Sequence, residues 1–163
     1  MNNSSEEALY RPCVGIALFN QEGKVFLGER IDTPGAWQMP QGGIDPDEDL
    51  EIAAFRELKE ETGIENASII KINDQKIRYE TPPGLREKLQ EIWGAPYIGQ
   101  EQTWIAMRFH GQDKDINLES FEHPEFSAWQ WCALEKTLDH IVPFKRDVYT
   151  QLIEAFKDIA QNN

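Results

Sequence analysis

Apolar residues in this chain come in short runs with sharp polar breaks. CVGIALF (Cys13 to Phe19) and KVFLG (Lys24 to Gly28) flank NQEG, a break that suits a tight turn, so the pair predicts a β-hairpin. ASIIKI (Ala67 to Ile72), KIRYE (Lys76 to Glu80), TWIAMRF (Thr103 to Phe109) and SAWQW (Ser127 to Trp131) predict four further strands. Two stretches change to a helical period. From about Glu48 to Thr62, stepping about 100° per residue brings Leu50, Ala54, Phe55 and Leu58 to one buried stripe. Either Asp45, with Pro46 in the first helical position, or Asp47 one step later supplies the N-cap, and Gly63 suits the residue just past the end. Near the end, FKRDVYTQLIEAFKDIA spaces Val148, Leu152, Ala155, Phe156 and Ile159 as the apolar face of a closing helix. Strands mixed with two well-separated helices imply an α/β (α+β) domain with helices on both faces of a mixed sheet. Without repeats or linkers, residues 10–160 read as a single domain, with residues 1–9 and the closing QNN expected to fray.

Composition narrows the partners. A chain of 163 residues buries roughly 70% of its unfolded surface without needing staples. Sixteen basic against 29 acidic side chains give a net charge of −13, which argues against DNA or an anionic membrane surface as a partner and requires a local attractor for any polyanionic substrate. Cys13 and Cys132 follow no metal or redox spacing and read as reduced thiols. With no basic region followed by an apolar run at the start, and no apolar stretch near the roughly 20 residues that span a bilayer, the expected location is cytoplasmic. Trp37, Trp104, Trp129 and Trp131 are expected in the core, and His110, His123 and His140 show no ligand spacing.

The first helix carries a feature that this picture leaves unexplained. RELKEETG sets Glu57, Glu60 and Glu61 within about 100° of one another beside the buried stripe, where like charges repel and desolvation adds to the cost. A divalent cation compensates. Carboxylate oxygens suit Mg2+ or Mn2+, which keep several waters and share their coordination with substrate phosphates.

Read from further upstream, Gly42, five residues, Glu48, seven residues, then Arg56, Glu57, Leu58, Lys59, Glu60, Glu61, Thr62, Gly63 and Ile64 matches every fixed position of the Nudix box. The sequence thus resembles the Nudix hydrolases. That resemblance implies an α/β/α sandwich, cleavage of a diphosphate linkage with divalent metal ions, Glu57, Glu60 and Glu61 as metal ligands, Arg56 as the residue that orients them, and Gly42 and Gly43 as shapers of the loop with Glu48. The general base varies within that family; Glu57 is the candidate here, with Glu125 as competitor.

Outside the box, YRPCVGIALFN, WQMPQGGID, IGQEQTW, HPEFSAWQW and VPFKRDVY resemble the bacterial RNA pyrophosphohydrolase group and its relatives acting on dinucleoside polyphosphates. By that resemblance Glu125 also binds metal, Arg11, Arg30, Lys145 and Arg146 lie near phosphates, and Phe144 stacks on a nucleobase. Gln38, Gln41 and Gln100 are candidate polar contacts in the same cleft. Tyr79, fifteen residues past Ile64, is a loose mark of dinucleoside polyphosphate hydrolases. The implied activity is removal of pyrophosphate from the 5′-triphosphate end of RNA. The alternatives are cleavage of diadenosine tetraphosphate to ATP and AMP, or a nucleotide-binding module without turnover. The sequence names no protein partner.

Overall fold

A computed structural model describes residues 9–161. The expected frayed start therefore lies, apart from Leu9, outside the described residues, as does the very end. Strands β1 (Tyr10–Phe19) and β7 (Gly99–Phe109) run parallel at the centre of a mixed sheet, in register from Tyr10 opposite Gly99 to Phe19 opposite Arg108. On one side of β7 lie β5 (Ala67–Ile72) and β6 (Ile77–Glu80), both antiparallel to it. The other edge of β1 is shared between β2 (Val25–Arg30), which it meets at Phe19 and Val25, and the short β4 (Gln41–Gly43), which pairs with Cys13 to Gly15. β2 then carries β3 (Trp37–Gln38) and β8 (Phe126–Cys132). The NQEG turn forms as its residues suggest: the Asn20 side chain accepts from the Glu22 and Lys24 N–H groups, and Gly23 takes φ 77°.

Burial on both faces follows the period of two in the central strands. Val14, Ile16 and Leu18 of β1, with Ile105, Met107 and Phe109 of β7, pack under helix α1 (Leu50–Thr62). Ala17, Phe19, Trp104 and Ala106 face the opposite way and pack under α3 (Arg146–Gln161), which contributes Val148, Tyr149, Leu152 and Phe156. The α/β/α sandwich is as expected, with three changes of detail. The buried residues of α1 include Ala53, Ala54 and Leu58, while Phe55 is 38% exposed, because alanine-sized side chains let the helix lie close to the sheet and turn Phe55 outward. Of the four tryptophans placed in the core, Trp104 is fully buried and Trp37, Trp129 and Trp131 are half-buried at its margins. An additional helix, α2 (Pro83–Trp93), begins behind Pro82 and ends at the left-handed Gly94 with no buried residue of its own. Among the described residues no helix is long and apolar enough to cross a membrane.

Candidate active site

The chain leading into α1 is built around one guanidinium. Asp49, not Asp45 or Asp47, caps the helix by accepting from the Glu51 N–H at 3.1 Å. The preceding loop is tied off instead. The Glu48 N–H donates to the Asp45 carbonyl, the Asp45 N–H donates to Glu48 Oε1, and Asp47 sits at φ 65°. Glu48 is thereby held outside the helix with both oxygens turned to Arg56, which donates Nε to Oε2 at 2.7 Å and Nη2 to Oε1 at 2.9 Å. The same Nη2 donates to the Gly43 carbonyl at 2.9 Å, and Nη1 reaches Glu57 at 2.9 Å and Glu60 at 3.2 Å. This fork fixes the loop, the glycine strand and two glutamates at once.

These bonds have a consequence for acid stability. Arg56, through its hydrogen bonds, and the Asp45 N–H hold the Glu48 carboxyl at about 2, below its ordinary value. A carboxyl depressed in the folded state contributes stability above its unfolded pKa of about 4.3 and loses it as pH falls through the folded value. Glu48→Gln is therefore expected to reduce stability at neutral pH and to flatten its fall between about pH 4.3 and 2, measured by urea denaturation across that range.

The three box glutamates differ in setting. Glu61 is 4% exposed and its Oε2 accepts from the Gln41 N–H at 3.1 Å. Burial first, then the charges of Glu57 and Glu125, push its carboxyl well above the ordinary range. Glu57, whose side chain is 12% exposed, lies within hydrogen-bonding reach of Glu61 and is raised by burial, against the pull of Arg56. Glu60 is more open, at 29%. Glu57 approaches β4 so closely that a Cβ at Gly42 would fall inside its carboxyl group, and a Cβ at the adjacent Gly43 would fall on the Arg11 guanidinium. Two side-chain-free residues thus let a carboxylate and a cation close on the same strand.

The cationic side of the cleft is equally built. Lys145 Nζ and Arg30 Nη1 both donate to Gln38 Oε1 at 3.0 Å. Burial, with Arg30 nearby, pulls the Lys145 amine down to about 8. Arg30 is further braced by Asp32, at 2.8 and 2.6 Å. Lys145 lies 5.8 Å from the Phe144 ring centroid, and Tyr79 packs on Phe144 with centroids 5.9 Å apart. Gln41 and Gln100 both accept from Gln102 Nε2. Arg146 is placed differently from these candidates: it is exposed and donates to the Leu138 carbonyl at 2.6 Å. Gln102, 1% exposed, is a buried polar residue that no local pattern singles out; it shares one face of β7 with Gln100 and Trp104, alternating with Glu101 and Thr103.

Among the described residues no three His, Cys, Asp or Glu side chains converge as a closed metal cage. The donor set nevertheless fits a hard divalent cation. Two carboxyls pressed together against burial are an electrostatic conflict that such a cation relieves, and Mg2+ needs only one or two protein carboxylates besides water and substrate.

An acidic helix edge held against a glycine strand, in a sheet sandwiched by helices, defines the class. A profile described as the NUDIX domain matches residues 9–152, and the chain belongs to that family, whose members generally use divalent metal ions. Within the family, the chain is 45% identical over 159 residues to a protein of Wolbachia pipientis subsp. Culex pipiens named RNA pyrophosphohydrolase, covering 98% of this chain and 96% of that one. It is 48% identical over 163 residues to a protein of the same name from Novosphingobium aromaticivorans, covering 98% and 99%. The solved E. coli dihydroneopterin triphosphate pyrophosphohydrolase has the same fold, with a TM-score of 0.66 at 20% identity over 89% of this chain and 97% of that one.

Proposed function

We propose that the protein is a Mg2+- or Mn2+-dependent RNA pyrophosphohydrolase that removes pyrophosphate from the 5′-triphosphate end of RNA and leaves a 5′-monophosphate. The observation that carries this reading is the approach of acidic and cationic groups to one another: Glu57 and Arg11 close on Gly42 and Gly43, and Arg30 and Lys145, joined through Gln38, lie within reach of the charge of Glu61. A net charge of −13 would otherwise repel a triphosphate. The relatives named RNA pyrophosphohydrolase, similar over nearly their whole length, support the choice of substrate.

In this reading Glu57, Glu60, Glu61 and Glu125 hold the cations. These would supply charge neutralisation at the phosphates and a more acidic water at the bond to be cut. Arg11, Arg30 and Lys145 bind phosphate oxygens, Phe144 offers its face to a nucleobase, and Arg56 keeps Glu57 and Glu60 aimed. Glu57 takes the proton of the attacking water, with Glu125 as the competing base, and hydrolysis places the water oxygen on one phosphorus as the anhydride bond breaks. Reduced thiols at Cys13 and Cys132 agree with a cytoplasmic site of action.

A second reading, asymmetric cleavage of diadenosine tetraphosphate, is favoured by Tyr79, whose ring against Phe144 offers a further aromatic surface for a base. Triphosphorylated RNA and diadenosine tetraphosphate, assayed in parallel with either metal, decide by kcat/KM. A higher value on RNA is expected. Turnover of neither substrate would leave a nucleotide-binding module.

A further inference from the structure

Four side chains behind the cleft form a hydrogen-bonded array whose direction is set at one end. Trp104 Nε1 donates to Gln102 Oε1 at 3.0 Å. Gln102 Nε2 donates both its hydrogens, to Gln41 Oε1 at 3.1 Å and to Gln100 Oε1 at 3.0 Å. An indole N–H can only donate, so it decides which end of the Gln102 amide faces it. With the Gln102 carbonyl so committed, its amino group must point the other way and needs two acceptors, since Gln102 is 1% exposed. Gln41 and Gln100 provide them, each by turning its carbonyl inward. A reversed Gln102 would set Nε2 against the indole N–H, lose that bond, and turn its carbonyl against those of Gln41 and Gln100 as they stand.

Trp104 itself has no freedom to change this. Its ring lies over Gly15 of the neighbouring strand, where any Cβ would overlap it, and its edge meets Tyr149 with centroids 6.1 Å apart. Tyr149 in turn accepts the Met39 N–H at 2.8 Å.

We propose that Trp104 and Gln102 are positioning residues that fix the hydrogen-bonding polarity of the cleft: they turn the amino group of Gln41 onto the Tyr79 hydroxyl, whose own hydrogen is then left to donate outward, and the amino group of Gln100 toward acceptor groups of the ligand, foremost phosphate oxygens. The inference deepens the proposed function and rests on it for its kinetic test. Gln100 stands opposite Arg11 on one neighbouring strand and Tyr79 on the other, and the backbone N–H of Gln41 holds Glu61, so both amides adjoin the residues assigned to phosphate and metal. An amide could present an acceptor or a donor there. The indole, buried behind the array, selects the donor.

Two arms test this. In 15N-labelled wild-type protein with Mg2+, titration with inorganic tripolyphosphate is expected to shift the side-chain NH2 resonances of Gln100 most and those of Gln41, which act through Tyr79, less. Gln102→Glu places an acceptor-only group in the array, which accepts from Trp104 and forces both neighbouring amides to turn their carbonyls outward. KM for triphosphorylated RNA should then rise about tenfold or more, with kcat falling less, since hydrogen bonds to a charged group are lost. Trp104→Phe, which removes only the orienting donor, should raise KM by a smaller factor, and it keeps the test open if the buried carboxylate prevents folding. Unchanged KM in folded variants, or NH2 resonances that stay fixed while the backbone amides of Gln41 to Gly43 move, would overturn the proposal. Wild-type protein that leaves triphosphorylated RNA intact would refute the RNA reading instead, with the tripolyphosphate titration still deciding the polarity of the array.

Discussion

Replacing Glu61 by glutamine is expected to lower kcat on triphosphorylated RNA by at least about 100-fold, the scale seen when one preorganised electrostatic group is removed from a water-excluded site. The same change should raise the melting temperature of the metal-free protein. Glutamine keeps an oxygen for the Gln41 N–H while deleting the charge that burial, Glu57 and Glu125 all disfavour. The sign can be followed with pH. A carboxyl whose folded pKa is raised is neutral in both states below its unfolded value, and from there stability is lost as pH climbs to the folded pKa. Metal-free wild-type protein should therefore lose stability above about pH 4.3, and Glu61→Gln should lose less. Thermal melts of both proteins in chelator and in Mg2+ check this. Metal should stabilise the wild type more than the variant, because only the wild type regains in bound cation what it loses to repulsion. A variant with near-normal turnover would remove Glu61 from the site.

This opposition of activity and stability explains why the acidic helix edge stands out in the sequence. Glu57, Glu60 and Glu61 lie beside the core stripe in defiance of local electrostatics, and such conflicts between levels collect at functional sites. The central strands were legible because burial on both faces makes them near-continuous apolar runs, whose alternate residues then segregate, Val14, Ile16 and Leu18 to one face and Ala17 and Phe19 to the other. What the pattern missed depends on contacts remote in sequence. Asp45 and Asp47 each satisfy the local rule for a cap, but Glu48 is drawn out of the helix by Arg56, eight residues on, and the start moves to Asp49. Phe55 fits the apolar period by hydrophobicity alone, whereas the close approach of α1 at Ala53 and Ala54 leaves no room for a ring. In α2, Leu85, Leu89, Ile92 and Trp93 keep helical spacing, but Pro82, Pro83 and Gly84 conceal the start, and the helix buries none of them fully. Gln102 was illegible for a different reason. A glutamine in a strand gives no sign of its amide direction until Trp104 and Gln41, from another strand, are seen beside it.

Arg56→Lys is the change expected to damage both stability and catalysis. Lysine retains the charge but offers a compact ammonium where the guanidinium meets the Glu48 oxygens in parallel, the Gly43 carbonyl, Glu57 and Glu60. No single position of an ammonium reproduces those directions, so at least one of Glu57 and Glu60 is released and the Gly43 carbonyl loses its donor. The guanidinium is 27% exposed, so water compensates in part, and a stability loss of about 1–3 kcal/mol is expected, below the cost of breaking a fully buried pair. It should appear as a lower urea midpoint at unchanged slope. Turnover should fall by about 10- to 100-fold, the usual range when a residue orienting metal ligands is lost. A double-mutant cycle with Glu48→Gln separates the two effects. If Arg56 acts through the fork, the stability losses will be strongly non-additive, because either change alone already breaks the paired bonds. The activity losses will be closer to additive, since Glu48 does not touch the box glutamates while Arg56 touches two of them. Full additivity in stability would show that Glu48 and Arg56 act independently, and the loop would then owe its shape to Asp45 and Asp49 instead.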